Sequence, residues 1–87
     1  MKLKEDLAGP QSAALFDAFR EARGKPLVVD ASAVRKVDTP GLEICLSAAR
    51  TWRSDGKALR YENIPDVLDS AIQTIGLTSD DFQAEGD

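Results

Sequence analysis

Apolar residues along this chain recur at two spacings, and each spacing predicts one kind of element. Recurrence every three and four residues is typical of amphipathic helices, whereas alternation and short apolar runs are typical of strands. We therefore predict three helices, over Gln11 to Arg23, Thr39 to about Ser54, and Pro65 to Ile75. We also predict four strands or extended pieces, at Leu3 to Leu7, Leu27 to Asp30, Val34 to Val37 and Ala58 to Tyr61.

The order of these elements, β-α-β-β-α-β-α, predicts an α/β fold in which three to four helices cover a small, partly parallel sheet of about four strands. The near-continuous apolar run before Asp30 is typical of a central strand that is buried on both faces. After residue 77 the chain carries four acidic residues and one large apolar residue, Phe82. We therefore expect a single domain over residues 1–77 and a flexible acidic tail over residues 78–87.

The same spacing identifies the expected core. Leu15, Phe16 and Phe19 fall on one side of the first helix, and Cys45 and Trp52 continue the apolar stripe of the longest helix. We interpret Cys45 as a core residue rather than a redox thiol, because a reactive thiolate needs an exposed, electropositive setting. We interpret Trp52 as a core residue at the end of the longest helix rather than as an exposed docking residue.

Composition excludes several kinds of site. The chain has no histidine and one cysteine, so a zinc site, a histidine-dependent triad and an intramolecular disulfide are not expected. Its net charge of −4 opposes nucleic-acid binding, and no apolar run approaches the roughly 20 residues that span a bilayer. We expect a cytoplasmic, non-enzymatic, protein-binding module without cofactor or metal.

The segment Asp38-Thr39-Pro40-Gly41 lies where an extended piece becomes the longest helix. Proline suits the first helical position and pushes the preceding residue into extended geometry, so Thr39 is the predicted N-cap. Gly41 allows close approach to the backbone. Thr39 has two interpretations: a cap without further role, which the residues alone favour, or a phosphorylation site whose phosphate sits at the unpaired N–H groups of the helix start and adds charge beside Asp38 and Glu43.

The stretch Leu27 to Leu46, LVVDASAVRKVDTPGLEICL, resembles the STAS family of sulfate transporter and anti-sigma factor antagonist domains. The family pattern is an apolar strand ending in Asp, here Asp30, then a short turn and D-[ST]-x-G-[LI], here Asp38 to Leu42. With Asp55-Gly56 before a strand and Ile75-Gly76-Leu77 after the last helix, the resemblance covers roughly residues 10 to 77.

The resemblance implies a mechanism of partner switching. Anti-sigma factor antagonists bind an anti-sigma serine/threonine kinase when unphosphorylated, and phosphorylation of the Ser or Thr after the motif Asp releases them. By this resemblance Thr39 is the phosphoacceptor, the partner-binding residues are Asp38, Thr39, Pro40, Gly41 and Leu42, and the free protein is a monomer. This sequence departs from the family pattern in having Thr for the usual Ser and proline after it.

Two other branches of the family also resemble this chain. The D-T-x-G form is similar to the small cytoplasmic STAS subunit of bacterial ABC systems for phospholipid transport, in which the Thr helps docking on the ATPase and need not be phosphorylated. Thr51-Trp52 and Asp55-Gly56 are similar to short STAS proteins found beside chemotaxis genes. The sequence leaves the choice between these processes open.

Overall fold

The computed structural model describes residues 1–86. Its regular elements, in chain order, are α1 (Gln11–Ala22), β1 (Leu27–Asp30), α2 (Thr39–Ser54), β2 (Leu59–Glu62), α3 (Asp66–Thr74) and a 3₁₀ helix (Ser79–Phe82). The three predicted helices and two of the predicted strands are confirmed, with ends that differ by about a residue. Within residues 1–86, no helix combines the length and the apolar composition that a membrane crossing needs.

The sheet is smaller than the sequence predicts. Strands β1 and β2 pair in parallel, from Leu27 opposite Leu59 to Asp30 opposite Glu62. The predicted strands at residues 3–7 and 34–37 are reduced to isolated parallel bridges, which join Lys2 to Asp30 and Asp6 to Lys36. The chain is therefore a mixed α/β domain with a two-stranded parallel sheet, and the four strands and their exact order are not confirmed.

The N-terminal segment explains this difference. The Leu3 N–H donates to the Asp30 carbonyl at 2.9 Å, but the Leu7 N–H donates to the Lys36 carbonyl at 2.8 Å. The segment therefore leaves the end of β1 and continues beside a loop. Because its pairing moves from residue 30 to residue 36, no continuous ladder forms on that side of β1, although Leu3 and Leu7 are buried.

The C-terminal segment packs against β2. Leu59 and Ala84 exchange two backbone hydrogen bonds of 2.9 Å, and Phe82 is 2% exposed, with its ring 6.4 Å from that of Tyr61. The side chains and N–H groups of Thr78 and Asp81 form a reciprocal capping box at the start of the 3₁₀ helix. Residues 78–86, which the sequence assigns to a flexible tail, therefore pack against β2 with Phe82 buried in the core. Asp87 lies outside the described residues, and the domain boundary at residue 77 stays a prediction.

Aromatic residues hold the helices to the sheet. The Phe19 ring on α1 packs edge-on against Trp52 at 6.1 Å and against Tyr61 at 6.5 Å. The Trp52 indole N–H donates to the Lys25 carbonyl at 2.7 Å, so this buried polar group is satisfied. Cys45 and Trp52 lie in the core, as predicted. Phe16 does not: 51% of it is exposed.

Helices α1 and α2 lie side by side and run in the same direction. Near their N-terminal ends the Gly9 N–H donates to the Asp38 carboxylate, and near their C-terminal ends Arg23 pairs with Asp55. The start of α2, where the sequence places the site, therefore lies beside the turn that precedes α1.

Candidate functional site

Asp38, rather than Thr39, is the N-cap of α2. Its backbone is extended (φ −113°, ψ 178°), its carbonyl accepts the Leu42 N–H at 2.9 Å, and its Oδ1 accepts the Gly41 N–H at 2.9 Å. Thr39 is the first helical residue and Pro40 the second. The predicted cap was wrong by one residue. The Asp38 carboxylate reaches the Gly41 N–H, which makes Asp38 the cap. Proline can occupy the second helical position as well as the first, because the N–H groups of the first turn have no acceptor within the helix.

The second carboxylate oxygen of Asp38 connects α2 to the turn before α1. Asp38 Oδ2 accepts the Gly9 N–H at 2.9 Å. The N–H groups of Gly9 and then of Gly41 hold the pKa of this carboxyl below its usual value of 3.8. Asp38 is therefore ionised at neutral pH, with both oxygens bonded to backbone N–H groups of the protein itself.

Gly41 allows a close approach, as predicted, but the approaching group belongs to this chain. A Cβ at residue 41 would overlap the carbonyl oxygen of Leu7. Leu42 is 3% exposed and points into the core. Gly41 and Leu42 therefore shape the predicted partner-binding segment from inside, and a partner cannot reach their side-chain positions while the fold is intact.

The part of the segment that solvent reaches is small. Thr39, Pro40 and Glu43 are exposed, and Asp38 is partly exposed between them and the Gly9 turn. We call Thr39, Pro40 and Glu43 the Thr39 surface. Glu43 was considered in the sequence only as a nearby charge; its spacing of four residues from Thr39 puts the two side chains on one face of the helix.

This geometry changes the expected environment of a phosphate on Thr39. Pro40 has no N–H, and the N–H groups of Gly41 and Leu42 already donate to Asp38. The predicted stabilisation of a phosphate by unpaired N–H groups is therefore wrong for residues 40–42. A phosphate on Thr39 would lie next to the ionised Asp38 and one helical turn from the exposed Glu43. Its negative charge would be repelled by both carboxylates.

A family model described as Mlab, STAS domain matches residues 1–82. The chain belongs to the STAS domain family. The match begins before residue 10, where the resemblance starts, and extends through the 3₁₀ helix, so it includes residues 78–82. Such domains are generally non-enzymatic regulatory domains that interact with protein partners. A comparison with curated proteins finds no significant match.

Two buried groups of this STAS domain, the Cys45 thiol and the Tyr61 hydroxyl, are protonated at neutral pH. Burial raises the pKa of the Cys45 thiol to about 11, so the thiol stays protonated. The Tyr61 hydroxyl donates to the Cys45 carbonyl at 2.9 Å, and its pKa is also raised, first by burial. Within residues 1–86, no three His, Cys, Asp or Glu side chains are grouped closely enough to hold a metal ion.

Sequence reasoning located the STAS motif but missed the two residues that hold it. Gly9 lies outside every predicted element, and Leu7 is only the last residue of the strand predicted at Leu3 to Leu7. Their contacts with Asp38 and Gly41 join positions about 30 residues apart along the chain. The only local signal is the pair of glycines, since each marks a point where the backbone makes a close contact or an unusual turn (φ +57° at Gly9).

Proposed function

We propose that this STAS domain binds a protein partner through the Thr39 surface and is released when Thr39 is phosphorylated. The partner is an anti-sigma serine/threonine kinase, which the domain occupies in its unphosphorylated form. The observation that carries the proposal is the exposed Thr39 next to a carboxylate whose two oxygens are already bonded to Gly9 and Gly41.

The bonds of Asp38 make the surface rigid before a partner arrives. Its hydrogen bonds connect α2 to the Gly9 turn, and Gly41 rests against Leu7. A preorganised surface loses little conformational freedom on binding, so more of the contact energy appears as affinity. The domain is thus suited to present Thr39 in one fixed position.

Phosphorylation would change the charge of this surface without moving the fold. A phosphate adds about −1.5 to −2 charges at neutral pH. Because Asp38 already occupies the Gly41 and Leu42 N–H groups, that charge stays unneutralised within the first turn. A partner that covers Thr39 would have to desolvate the phosphate beside two carboxylates, and this cost favours release.

The test uses the purified chain, ATP and the cognate anti-sigma serine/threonine kinase. We expect one phosphoryl group on Thr39 by mass spectrometry, and at least a tenfold weaker affinity of Thr39→Glu for the kinase by calorimetry. Ser70→Glu, which adds the same charge on the exposed side of α3, is the matched control and should bind as the wild type does. Unmodified Thr39 together with undiminished binding by Thr39→Glu contradicts the proposal.

A second function is favoured by the description of the matching model, Mlab, STAS domain, and by the D-T-x-G form of residues 38–41. It is a constitutive subunit docked on the ATPase of an ABC phospholipid-transport complex, with the Thr39 hydroxyl as a fitted contact. Thr39→Ala separates the two functions. It keeps the kinase bound in the first, because only the acceptor is lost, and weakens co-purification with the ATPase in the second.

A further inference from the structure

A groove runs between the exposed sides of α1 and α2. It encloses about 180 Å³, and its lining includes Phe16, Arg20, Ile44, Ser47, Ala48 and Thr51. The groove is open because Ser47, Ala48 and Thr51 are small, whereas Phe16 on the facing helix is large and 51% exposed. We call these six residues the α1–α2 groove.

The size of the groove fits one large apolar side chain. A cavity of about 150 Å³ in a protein interior holds a benzene molecule, so about 180 Å³ admits a phenyl or a long aliphatic group. Phe16 and Ile44 supply apolar walls for such a group. Covering the half-exposed Phe16 ring would remove apolar surface from water, which favours binding.

The groove also carries a positive charge that the domain does not neutralise. Arg20 is exposed, and the ion pairs within residues 1–86 are those of Arg23 with Asp55 and of Arg35 with Glu5. Arg20 thus has no carboxylate partner in the described part of the chain, although the protein is acidic overall. The apolar part of the groove, between Phe16 and Ile44, lies beside the unpaired Arg20 guanidinium. We call this part the notch; it is complementary to an apolar side chain with a carboxylate near it.

The groove continues directly from the Thr39 surface. Pro40, Glu43 and Ser47 succeed one another at helical spacing on the exposed side of α2, and Thr51 follows one turn later. At 1.5 Å per residue, Thr39 and Thr51 are about 18 Å apart along the helix. A partner that covers Thr39 and extends along α2 therefore reaches the groove.

We infer that the α1–α2 groove is a second contact for the partner of the Thr39 surface, and that it receives an acidic amphipathic helix of that partner. One large apolar side chain of the helix enters the notch between Phe16 and Ile44, and a carboxylate pairs with Arg20. Parallel α1 and α2 form the two walls, an arrangement suited to a helix lying in a groove. The identity of the partner rests on the proposed function; the chemistry of the groove does not.

The groove chemistry is tested with 4-phenylbutyrate, which joins a phenyl group to a carboxylate. In NMR titrations of the full chain we expect saturable shifts at Ile44, Ser47 and Thr51 in the millimolar range. Butyrate, which lacks the ring, should not saturate, and 4-phenylbutylamine should bind at least fivefold more weakly. Arg20→Glu should reverse the preference between acid and amine. Unsaturable shifts at the groove, or equal binding of acid and amine, overturn the inference.

The partner arm uses the kinase or the ATPase that co-purifies with the chain. Ser47→Trp fills the notch, and Arg20→Glu reverses its charge; we expect each to weaken binding at least tenfold. Arg50→Glu makes the same charge change on α2 outside the groove and should bind as the wild type does. If Ser47→Trp and Arg20→Glu bind the partner with wild-type affinity while Thr39→Glu binds more weakly, the inference about the groove is overturned and the Thr39 proposal stands. The opposite result overturns the Thr39 proposal and leaves the groove standing.

Discussion

Helices α1 and α2 are joined at both ends, by contacts of different kinds. At the N-terminal end the Asp38 carboxylate bonds to the backbone of Gly9, and Gly41 rests against the Leu7 carbonyl. At the C-terminal end the Arg23 guanidinium pairs with Asp55 at 2.9 Å and 3.1 Å. The N-terminal contacts act directly on backbone groups, the Gly9 N–H and the Leu7 carbonyl, whereas the C-terminal contact joins two partly exposed side chains.

This difference predicts which end of the helix pair is more sensitive to substitution. The side chains of Arg23 and Asp55 are 59% and 24% exposed, so solvent and salt screen their attraction. The bonds of Asp38 and the contact of Gly41 depend on geometry that few other residues reproduce. We expect substitutions at the N-terminal end to cost far more than those at the C-terminal end, and four predictions test that order.

The largest effect is expected for Gly41→Ala. The added Cβ would overlap the Leu7 carbonyl, which cannot move freely because the Leu7 N–H is bonded to the Lys36 carbonyl at 2.8 Å. Alanine favours helix, but displacing backbone outweighs that gain, and we expect a net loss of about 1 to 3 kcal/mol in unfolding free energy. Urea denaturation measures it. Ser47→Ala, an exposed change on the same helix, is the control and should change little; a neutral or stabilising Gly41→Ala would mean that the N-terminal contact is loose.

Asp38→Ala should have the next largest effect. It removes the cap of α2 and the bond to Gly9 together, so the Gly9 amide loses its acceptor. We expect a lower urea midpoint and faster hydrogen exchange at Gly9. Asp38→Asn keeps one oxygen to cap α2 and should lie between the alanine variant and the wild type.

The matched control for Asp38→Ala is Asp6→Ala. Asp6 accepts the Ala8 N–H at 2.8 Å, a bond of similar length that lies within the same turn and does not reach α2. If Asp6→Ala accelerates Gly9 exchange as much as Asp38→Ala does, the connection between the two helices is not what holds the turn.

The sequence predicted the parts of this fold that depend on local spacing. Helical periodicity located α1, α2 and α3, a short apolar run located β1, and alternation of apolar and charged residues located β2. It overpredicted strands at residues 3–7 and 34–37, because a strand needs a neighbour in continuous register, and the N-terminal segment moves from Asp30 to Lys36. It did not predict the docking of residues 78–86, because Phe82 is the one large apolar residue of a segment rich in acids.

At the candidate site the sequence likewise located an element but not the contacts that shape it. The motif at residues 38–42 located the start of α2, but which of its residues face solvent depends on Leu7 and Gly9, far away in sequence. Local rules assigned the cap to Thr39 because proline follows it. The structure assigns it to Asp38 because a carboxylate can accept two N–H groups at once.

The third prediction concerns acid. The pKa of Asp38 is lowered, first by Gly9 and then by Gly41, so its contribution to stability is present above the ordinary carboxyl pKa and is lost as pH falls through the folded-state value. Asp55, whose pKa Arg23 lowers, has the same sign. The urea midpoint should therefore fall below about pH 4, and Asp38→Asn and Asp55→Asn should each flatten that fall.

The dependence on salt concentration should distinguish Asp38 from Asp55. Asp38 is stabilised by backbone N–H groups at hydrogen-bond distance, whereas Asp55 is stabilised by the exposed guanidinium of Arg23. In about 1 M NaCl the Debye length is near 3 Å. Under these conditions we expect Asp55→Asn to have little effect on the fall of the urea midpoint at low pH, whereas Asp38→Asn should flatten that fall as it does at low salt. Equal loss of both would make the two ends electrostatically alike.

The smallest effect is expected for the ion pair itself. In a double-mutant cycle of Arg23→Ala and Asp55→Ala, the coupling should be too small to resolve in urea denaturation, because an exposed pair gains little over two hydrated charges. The fork of two hydrogen bonds is the one feature that argues the other way, since bidentate geometry strengthens such pairs. A coupling as large as the Asp38→Ala effect would show that both ends clamp α1 to α2. The groove between the helices would then be held rigid along its whole length, and not only beside Thr39.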